Sequence, residues 1–292
     1  MRSRYSPWLF LAPALLLVLV VTIYPFIYSF YISFYDVKLI NISAMPFVGF
    51  ENYIKLFGDE AFHRSLVRSL YFVTGSVSGS FILGFALALL LDRELRGMVI
   101  LRSLIIVPMV VTPVSIGLTW RMMFSNQIGI INYVLGLIDV PQPLWIQSID
   151  SALLSVMLVD IWQWAPFMFL ILLAGLRSLP VSPWESARVD GANAWQRFIY
   201  LTLPMMKPII AVALILRTVD AMRIFDQIFV MTRGGPAQAT DLFSLFLYRT
   251  GFKHSHIGYA AALSWVLLLL STVLLVLFVR QTGILKPKEP VE

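Results

Sequence analysis

From Trp8 to Phe34 the chain carries not one charged side chain, and opens that stretch with the run WLFLAPALLLVLVVTIYPF. A helix crosses the hydrocarbon core of a bilayer with about 20 mostly apolar residues. Five further apolar stretches follow, at about residues 70–91, 103–124, 152–176, 205–231 and 259–279. In water such segments would need a polar surface elsewhere to cover them. Only 13% of the residues are charged and 59% are hydrophobic, against about 25% charged in a soluble domain. The chain therefore reads as an all-α membrane protein of six spans in a single domain, its surface in contact with membrane lipid. A free cytosolic enzyme, a secreted disulfide scaffold and a disordered regulator are excluded. With Cys 0, there is neither a disulfide framework nor a thiolate chemistry.

The first stretch, about 8–34, is longer than the 7–15 residues of a signal-peptide core, and no A-x-A-like site follows it, so it reads as a retained anchor. Net charge is +6, but the basic residues are scattered between spans, which argues for a topology signal and no nucleic-acid partner. Placing both termini in the cytoplasm puts twelve Lys and Arg on the inner side and seven on the outer. Outside, Phe50, Tyr53, Ile54 and Phe57 recur at helical spacing, an amphipathic helix laid along the membrane surface. In the second span, Gly75, Ser76, Gly79 and Ser80 form a small-residue face that lets another helix approach. Asp92, Arg93, Glu94 and Arg96 read as a solvated inner turn.

The connection between the fourth and fifth spans, residues 177–204, is longer than a connector needs. Ser182 precedes Glu185 by three residues with Pro183 between them, a capping box that predicts a short helix to Val189. Asp190-Gly191 then breaks it, and a second helix from about Ala192 leads through Phe198 and Leu201 to Pro204. A plain hairpin connector and a knuckle shaped for a soluble partner both fit this pattern.

Glu185-Ser186-Ala187-x-x-Asp190-Gly191-Ala192, with Phe198 and Leu203-Pro204 beyond, resembles the loop of ABC-importer permeases named after its Glu-Ala-Ala motif. More narrowly, the chain is similar to carbohydrate-uptake permeases of the maltose and glycerol-3-phosphate type. Ala12-Pro13, Tyr24-Pro25, Gly49-Phe50-Glu51-Asn52-Tyr53 and Thr232-Arg233-Gly234-Gly235-Pro236 fit as well. The last motif favours the first of the two permease subunits such importers contain. Ser186 stands where the family often has Ala. The maltose permease itself has additional N-terminal membrane helices, for which this sequence shows no counterpart.

The resemblance implies a type I importer permease fold in a bacterial or archaeal cell membrane. It implies a homologous second permease subunit, a dimer of cytoplasmic ATPase subunits and an extracytoplasmic solute-binding protein as partners. It further implies that the loop is a coupling helix, with Ser182, Trp184, Glu185, Ser186, Ala187, Asp190, Gly191 and Ala192 meeting the ATPase. The chain has no G-x-x-x-x-G-K-[ST] phosphate loop of its own, so ATP hydrolysis would belong to another polypeptide.

Ionisable side chains within spans cost at least about 2.5–3.5 kcal/mol each and usually face a cavity or a partner. The fourth span carries Asp160, Trp162, Gln163, Trp164 and Phe167, with Pro166 expected to kink it. Indoles and an amide beside a carboxylate suit a sugar. The fifth carries Arg217, Asp220, Arg223 and Asp226, a slowly drifting row on one side of a helix. Structural ion pairs with Trp162 and Trp164 as interfacial anchors account for the same residues. Maltose-type permeases hold sugar on the helices flanking the loop, and the matching positions here are Asp160, Trp162, Gln163, Trp164 and Phe167, then Arg217, Asp220, Ala221 and Ile224. His254 and His256, two apart, do not share a helix face and make a poor metal pair. No reactive constellation suggests an enzyme, and nothing calls for a cofactor. A stand-alone secondary transporter or channel is the competing reading. It would favour inverted repeats, which the sequence does not show.

Overall fold

The computed structural model describes residues 6–92 and 97–282. Arg2, Arg4, Lys286 and Lys288, used for orientation, and Arg93, Glu94 and Arg96 of the expected inner turn, lie outside the described residues. Asp92 is described, and its carboxylate accepts from Arg177 at 3.3 Å with both side chains partly exposed.

In chain order the helices are α1 (Ser6–Val18), α2 (Tyr24–Ile32), α3 (Glu51–Gly58), α4 (Glu60–Leu91), α5 (Met98–Val110), α6 (Pro113–Met123) and α7 (Ile130–Leu137). They continue with α8 (Ile149–Ser178), α9 (Ser182–Val189), α10 (Ala194–Arg197), α11 (Leu203–Met222), α12 (Asp226–Met231), α13 (Phe243–Tyr248) and α14 (Ile257–Thr282). Among the described residues, five stretches are long and apolar enough to cross a membrane: Phe10–Ile32, Glu60–Leu91, Ile149–Ser178, Ala194–Ala221 and Ile257–Leu277. The bent pair α5 and α6 makes a sixth if counted as one span.

Two wide, π-type turns join helices into continuous spans: Leu19–Ile23 between α1 and α2, and Phe198–Thr202 between α10 and α11. Each lies just before a proline, Pro25 and Pro204. A proline inside a helix clashes with the carbonyl four residues back, which is Val21 in the first case and Tyr200 in the second. Both carbonyls sit in the widened turns, where the looser spacing relieves the clash. Pro166 lies within α8.

The third expected span departs from the sequence reading. α5 and α6 meet at 95° across Val111-Thr112. Thr112 is extended, at φ −63° and ψ 141°, because the following Pro113 disfavours helical geometry at the residue before it. The fifth span departs too. α11 ends at Met222, and α12 resumes at Asp226 after Phe225 turns out of helical geometry. The expected row of four charges is thus divided: Arg217 and Asp220 lie on α11, Arg223 at its end and Asp226 at the start of α12.

The described backbone gathers into two compact units, one from Met1–His63 with Phe246–Leu270 and one from Arg64–Leu245 with Ser271–Glu292. In the second, the small-residue face of α4 receives α8. A Cβ on Gly75 would meet Met157 at 2.4 Å, one on Gly79 would meet Ile161 at 2.4 Å, and one on Gly84 would meet the Ala165 carbonyl at 2.8 Å. Gly175 of α8 repeats the device, a Cβ there falling 2.8 Å from Ile209 of α11. Gly117 of α6 admits α12, with Val230 3.2 Å from its would-be Cβ.

Candidate functional site

The close seating of α4 on α8 brings Ser76 to Asp160, which lies at the middle of α8. Ser76 Oγ donates to Asp160 Oδ2. From α11, Arg217 donates to the same carboxylate oxygen, to Ser76 Oγ at 2.8 Å and to Asp220 Oδ2 at 3.1 Å. Its guanidinium also stands 5.4 Å from the Trp164 ring centroid, in cation–π range. Arg217 and Asp160 are each 1% exposed. A charge at that depth is tolerable only when paired and hydrogen-bonded, and here one hydroxyl, one buried carboxylate and one half-exposed carboxylate supply the pairing.

Beside this knot lies a cavity of about 270 Å³ lined by Pro113, Asp160, Trp164, Asp220 and Arg223, with Ile224, Phe225, Asp226 and Gln227 completing it. Two observed helix breaks form it: Pro113 opens α6, and Arg223 to Phe225 separate α11 from α12. Gln227 is 1% exposed and donates its amide to Gln163 Oε1. Gln163 in turn donates to the Val111 carbonyl at 3.1 Å, which the bend after α5 leaves without a helical partner. Gln227 Oε1 is buried with no hydrogen-bond partner among the described residues.

The residues singled out from sequence are thereby sorted. Asp160, Trp164, Asp220 and Ile224 line the cavity. Arg217 stands behind it in the ion-pair knot, and Gln163 braces Gln227. Trp162 is 42% exposed and packs edge-on to Trp120 at 5.4 Å. Phe167 touches Trp164 edge-on at 6.1 Å, and Ala221 is buried; none of these three lines the cavity. Ser76, Pro113, Phe225 and Gln227 were not among the expected residues. Ser76 carried a signal, since it lies between Gly75 and Gly79 on the face that seats α8. Gln227 carried none, because the break that turns it inward is tertiary.

In the loop, α9 is an exposed eight-residue helix, with no residue of it buried. The expected Ser182–Glu185 capping box does not form. Val181 occupies the cap position in helical geometry with no side-chain hydrogen bond, so Ser182 is already inside the helix and its hydroxyl cannot fold back. A reciprocal box forms one helix later, between Asn193 and Gln196 at 2.8 and 2.9 Å. The end of α9 is a Schellman motif: Ala192 N–H donates to the Ala187 carbonyl at 2.9 Å and Gly191 N–H to Arg188 at 3.2 Å. Gly191 has φ +77° and nothing within 4 Å of a would-be Cβ, so its demand is conformational rather than steric. Glu185, Ser186 and Asp190 are exposed; Trp184, Ala187 and Ala192 are half-buried.

Among the described residues, no group of three or more His, Cys, Asp or Glu converges, at His254 and His256 or elsewhere. Partial burial, then Lys55, push His256 below the usual imidazole range.

Residues 80–288 match the family of binding-protein-dependent transport system inner membrane components. The chain is 38% identical over 248 residues to the trehalose/maltose transport system permease protein MalF of Thermococcus litoralis, covering 85% of this chain and 83% of that protein. It is 33% identical over 278 residues to the sulfoquinovosyl glycerol transport system permease protein SmoG of Agrobacterium fabrum, covering 95% and 90%. Its backbone superposes on a chain of a bacterial ABC transporter involved in the import of the acidic polysaccharide alginate, with TM-score 0.84, 22% identity and coverage of 97% and 96%. A second structure of an alginate ABC transporter, in complex with an alginate pentasaccharide-bound periplasmic protein, gives 0.82 at 22% identity over 95% and 94%. Together with the helical architecture and its apolar spans, these likenesses establish that the chain belongs to the family of binding-protein-dependent transport system inner membrane components, and is a membrane transport permease.

Proposed function

We propose that this chain is the permease subunit of an ATP-binding-cassette importer that moves a sugar, polyol or related small solute into the cell, driven by ATP hydrolysed on a separate subunit. The observation that carries the reading is α9, a helix with a defined Schellman stop at its C-terminus, presented without burial between two spans. A free connector gains nothing from a Schellman stop and a reciprocal cap on either side of one glycine. A rigid knuckle that must enter a partner's groove does. The ATPase can shift the permease between inward and outward access only if its ATP-bound form prefers one arrangement of this loop. Both termini and α9 lie on the cytoplasmic side in this reading, by the bias of basic residues.

The solute path runs past the 270 Å³ cavity. Trp164 offers a ring face for the C–H side of a sugar. Asp220, Arg223 and Asp226 offer charged partners for hydroxyls, and the unpartnered Gln227 Oε1 accepts from one. Arg217, Asp160 and Ser76 hold these groups in place without touching the solute. A homologous permease would close the open side, and a solute-binding protein would deliver from outside. Relatives named for trehalose/maltose and for sulfoquinovosyl glycerol support a glycan-type solute.

Purification and reconstitution test the proposal. The chain should copurify with a second permease and a nucleotide-binding subunit, and vesicles holding that complex should accumulate solute only with ATP and binding protein. Accumulation by this chain alone, driven by an ion gradient and indifferent to ATP, would overturn it in favour of a secondary transporter.

A further inference from the structure

Helix α3 presents three distinct faces. At about 100° per residue, Asn52 and Leu56, with Tyr53 at their edge, share one side; Glu51 and Lys55 share a second. Phe50, Ile54 and Phe57 share a third, nearly opposite the first. The first side is turned into the protein. Asn52 is 8% and Leu56 4% exposed, and Asn52 Nδ2 donates to the Ser33 and Tyr35 carbonyls at 2.8 and 3.1 Å. The third side is apolar and bare: Phe50 is 67%, Ile54 67% and Phe57 84% exposed.

The helix is laid across the ends of two spans. Asn52 and Tyr53 bind the chain just past the end of α2, Tyr53 through its hydroxyl and Ser33 Oγ at 2.7 Å. Seven residues on, Asp59 accepts from Tyr259 in the first turn of α14 at 2.7 Å. Lys55 Nζ stands 4.8 Å over the same ring. Seven residues of helix measure about 10 Å, which is the spacing of two packed helices. A helix that reaches both span ends in that way lies along the plane of the membrane surface.

The bare face also continues an exposed apolar surface of two membrane-spanning helices. Phe26 and Phe30 of α2, 50% and 45% exposed, pack on Trp265 of α14 at 4.6 and 4.8 Å. Phe30 then meets Phe34 at 5.0 Å, and Phe34 meets Phe50 at 5.4 Å. One run of touching rings thus leads from the outer sides of two spans to the first residue of the stripe. Aromatic rings collect at the level of the headgroups.

We infer that α3 is an interfacial helix whose Phe50, Ile54 and Phe57 face is seated in the headgroup–acyl boundary of the bilayer, with Glu51 and Lys55 toward water and Asn52 and Leu56 toward the protein. Three faces for three surroundings is the pattern a helix at the rim of a membrane protein requires. The bilayer thereby grips the bridge that ties the first span to the last.

The natural absence of cysteine allows single labels without background. Ile54→Cys, Phe57→Cys and Glu51→Cys variants of the full chain, each carrying a nitroxide, would be reconstituted in phosphatidylethanolamine–phosphatidylglycerol vesicles. Collision with oxygen and with a water-soluble nickel chelate would then be compared by electron paramagnetic resonance. Oxygen should dominate several-fold at positions 54 and 57, and nickel at position 51. Nickel access at all three positions would overturn the inference. Shielding of 54 and 57 from both reagents would overturn it too, since a protein surface would then cover the stripe. Because all three side chains are exposed, none of the variants removes a packing contact of the fold.

Discussion

Arg217 has two readings in the sequence, a solute contact and a structural ion pair, and its contacts favour the second. As a charge in an apolar span it announces a cavity or a partner, and both are present. The guanidinium itself, however, is spent on Asp160, Ser76 and Asp220. Removing one member of a buried pair strands the other at about 3–5 kcal/mol. Arg217→Met should therefore destabilise the purified chain by that order, and Asp160→Asn by less, because an amide can still accept from Arg217. Their combination should cost clearly less than the sum of the two. Thermal unfolding in detergent reads this, and strict additivity would show that the two charges do not share a knot. Gln227 is the converse case: a neutral residue with no periodic signal that the fold turns into a buried acceptor without a partner beside the cavity.

At the scale of elements, the spans were legible because length and apolarity are local properties of the chain. The small-residue face of α4 was legible for the same reason: spacing alone puts Gly75 and Gly79 on one side of a helix. Its partner, α8, was not. Gly84 falls so close to backbone atoms of α8, 2.8 Å from the Ala165 carbonyl and from Phe169 N, that a flexible side chain cannot yield the room. Gly84→Leu should lower the melting temperature by the equivalent of about 1–3 kcal/mol or more, whereas Gly97→Leu, where a Cβ meets nothing, should pay only for its positive φ. Equal melting of the two variants would remove the packing account. The breaks within the third and fifth spans were less legible. Pro113 was a signal for the first, through its effect on Thr112. The second falls at Arg223 to Phe225 with no proline or glycine to mark it, so charge alone hinted that the helix stops there. The cap of α9 was misjudged because Ser-x-x-Glu is a pattern of identity, whereas a cap is a matter of backbone angles; Asn193 and Gln196 satisfy both.

For the whole molecule, the proposed function assigns the cavity to solute and α9 to force. They belong to different ends of the same spans: α8 carries Asp160 and Trp164 and leads into α9, and α11 carries Asp220 and follows it. A change at the cavity should therefore alter transport without altering assembly. Trp164→Ala is expected to lower solute-stimulated uptake about tenfold or more while the complex still purifies intact. Trp162→Ala, on the side away from the cavity, should leave uptake within about twofold. The reverse order in an uptake assay would move the solute path to the other side of α8.

The central claim is that ATP energy enters through α9, and Gly191 is the point at which it can be interrupted with least disturbance elsewhere. A β-branched residue at φ +77° costs about 1–2 kcal/mol or more, while asparagine tolerates that geometry. The direct measurement is ATP-driven uptake by proteoliposomes of the complete complex carrying Gly191→Val or Gly191→Asn, with ATP hydrolysis followed in parallel. The account predicts that the valine variant loses uptake, with hydrolysis either uncoupled from solute or lost with the ATPase subunit, and that the asparagine variant retains most of both. Normal ATP-driven uptake by Gly191→Val would contradict it.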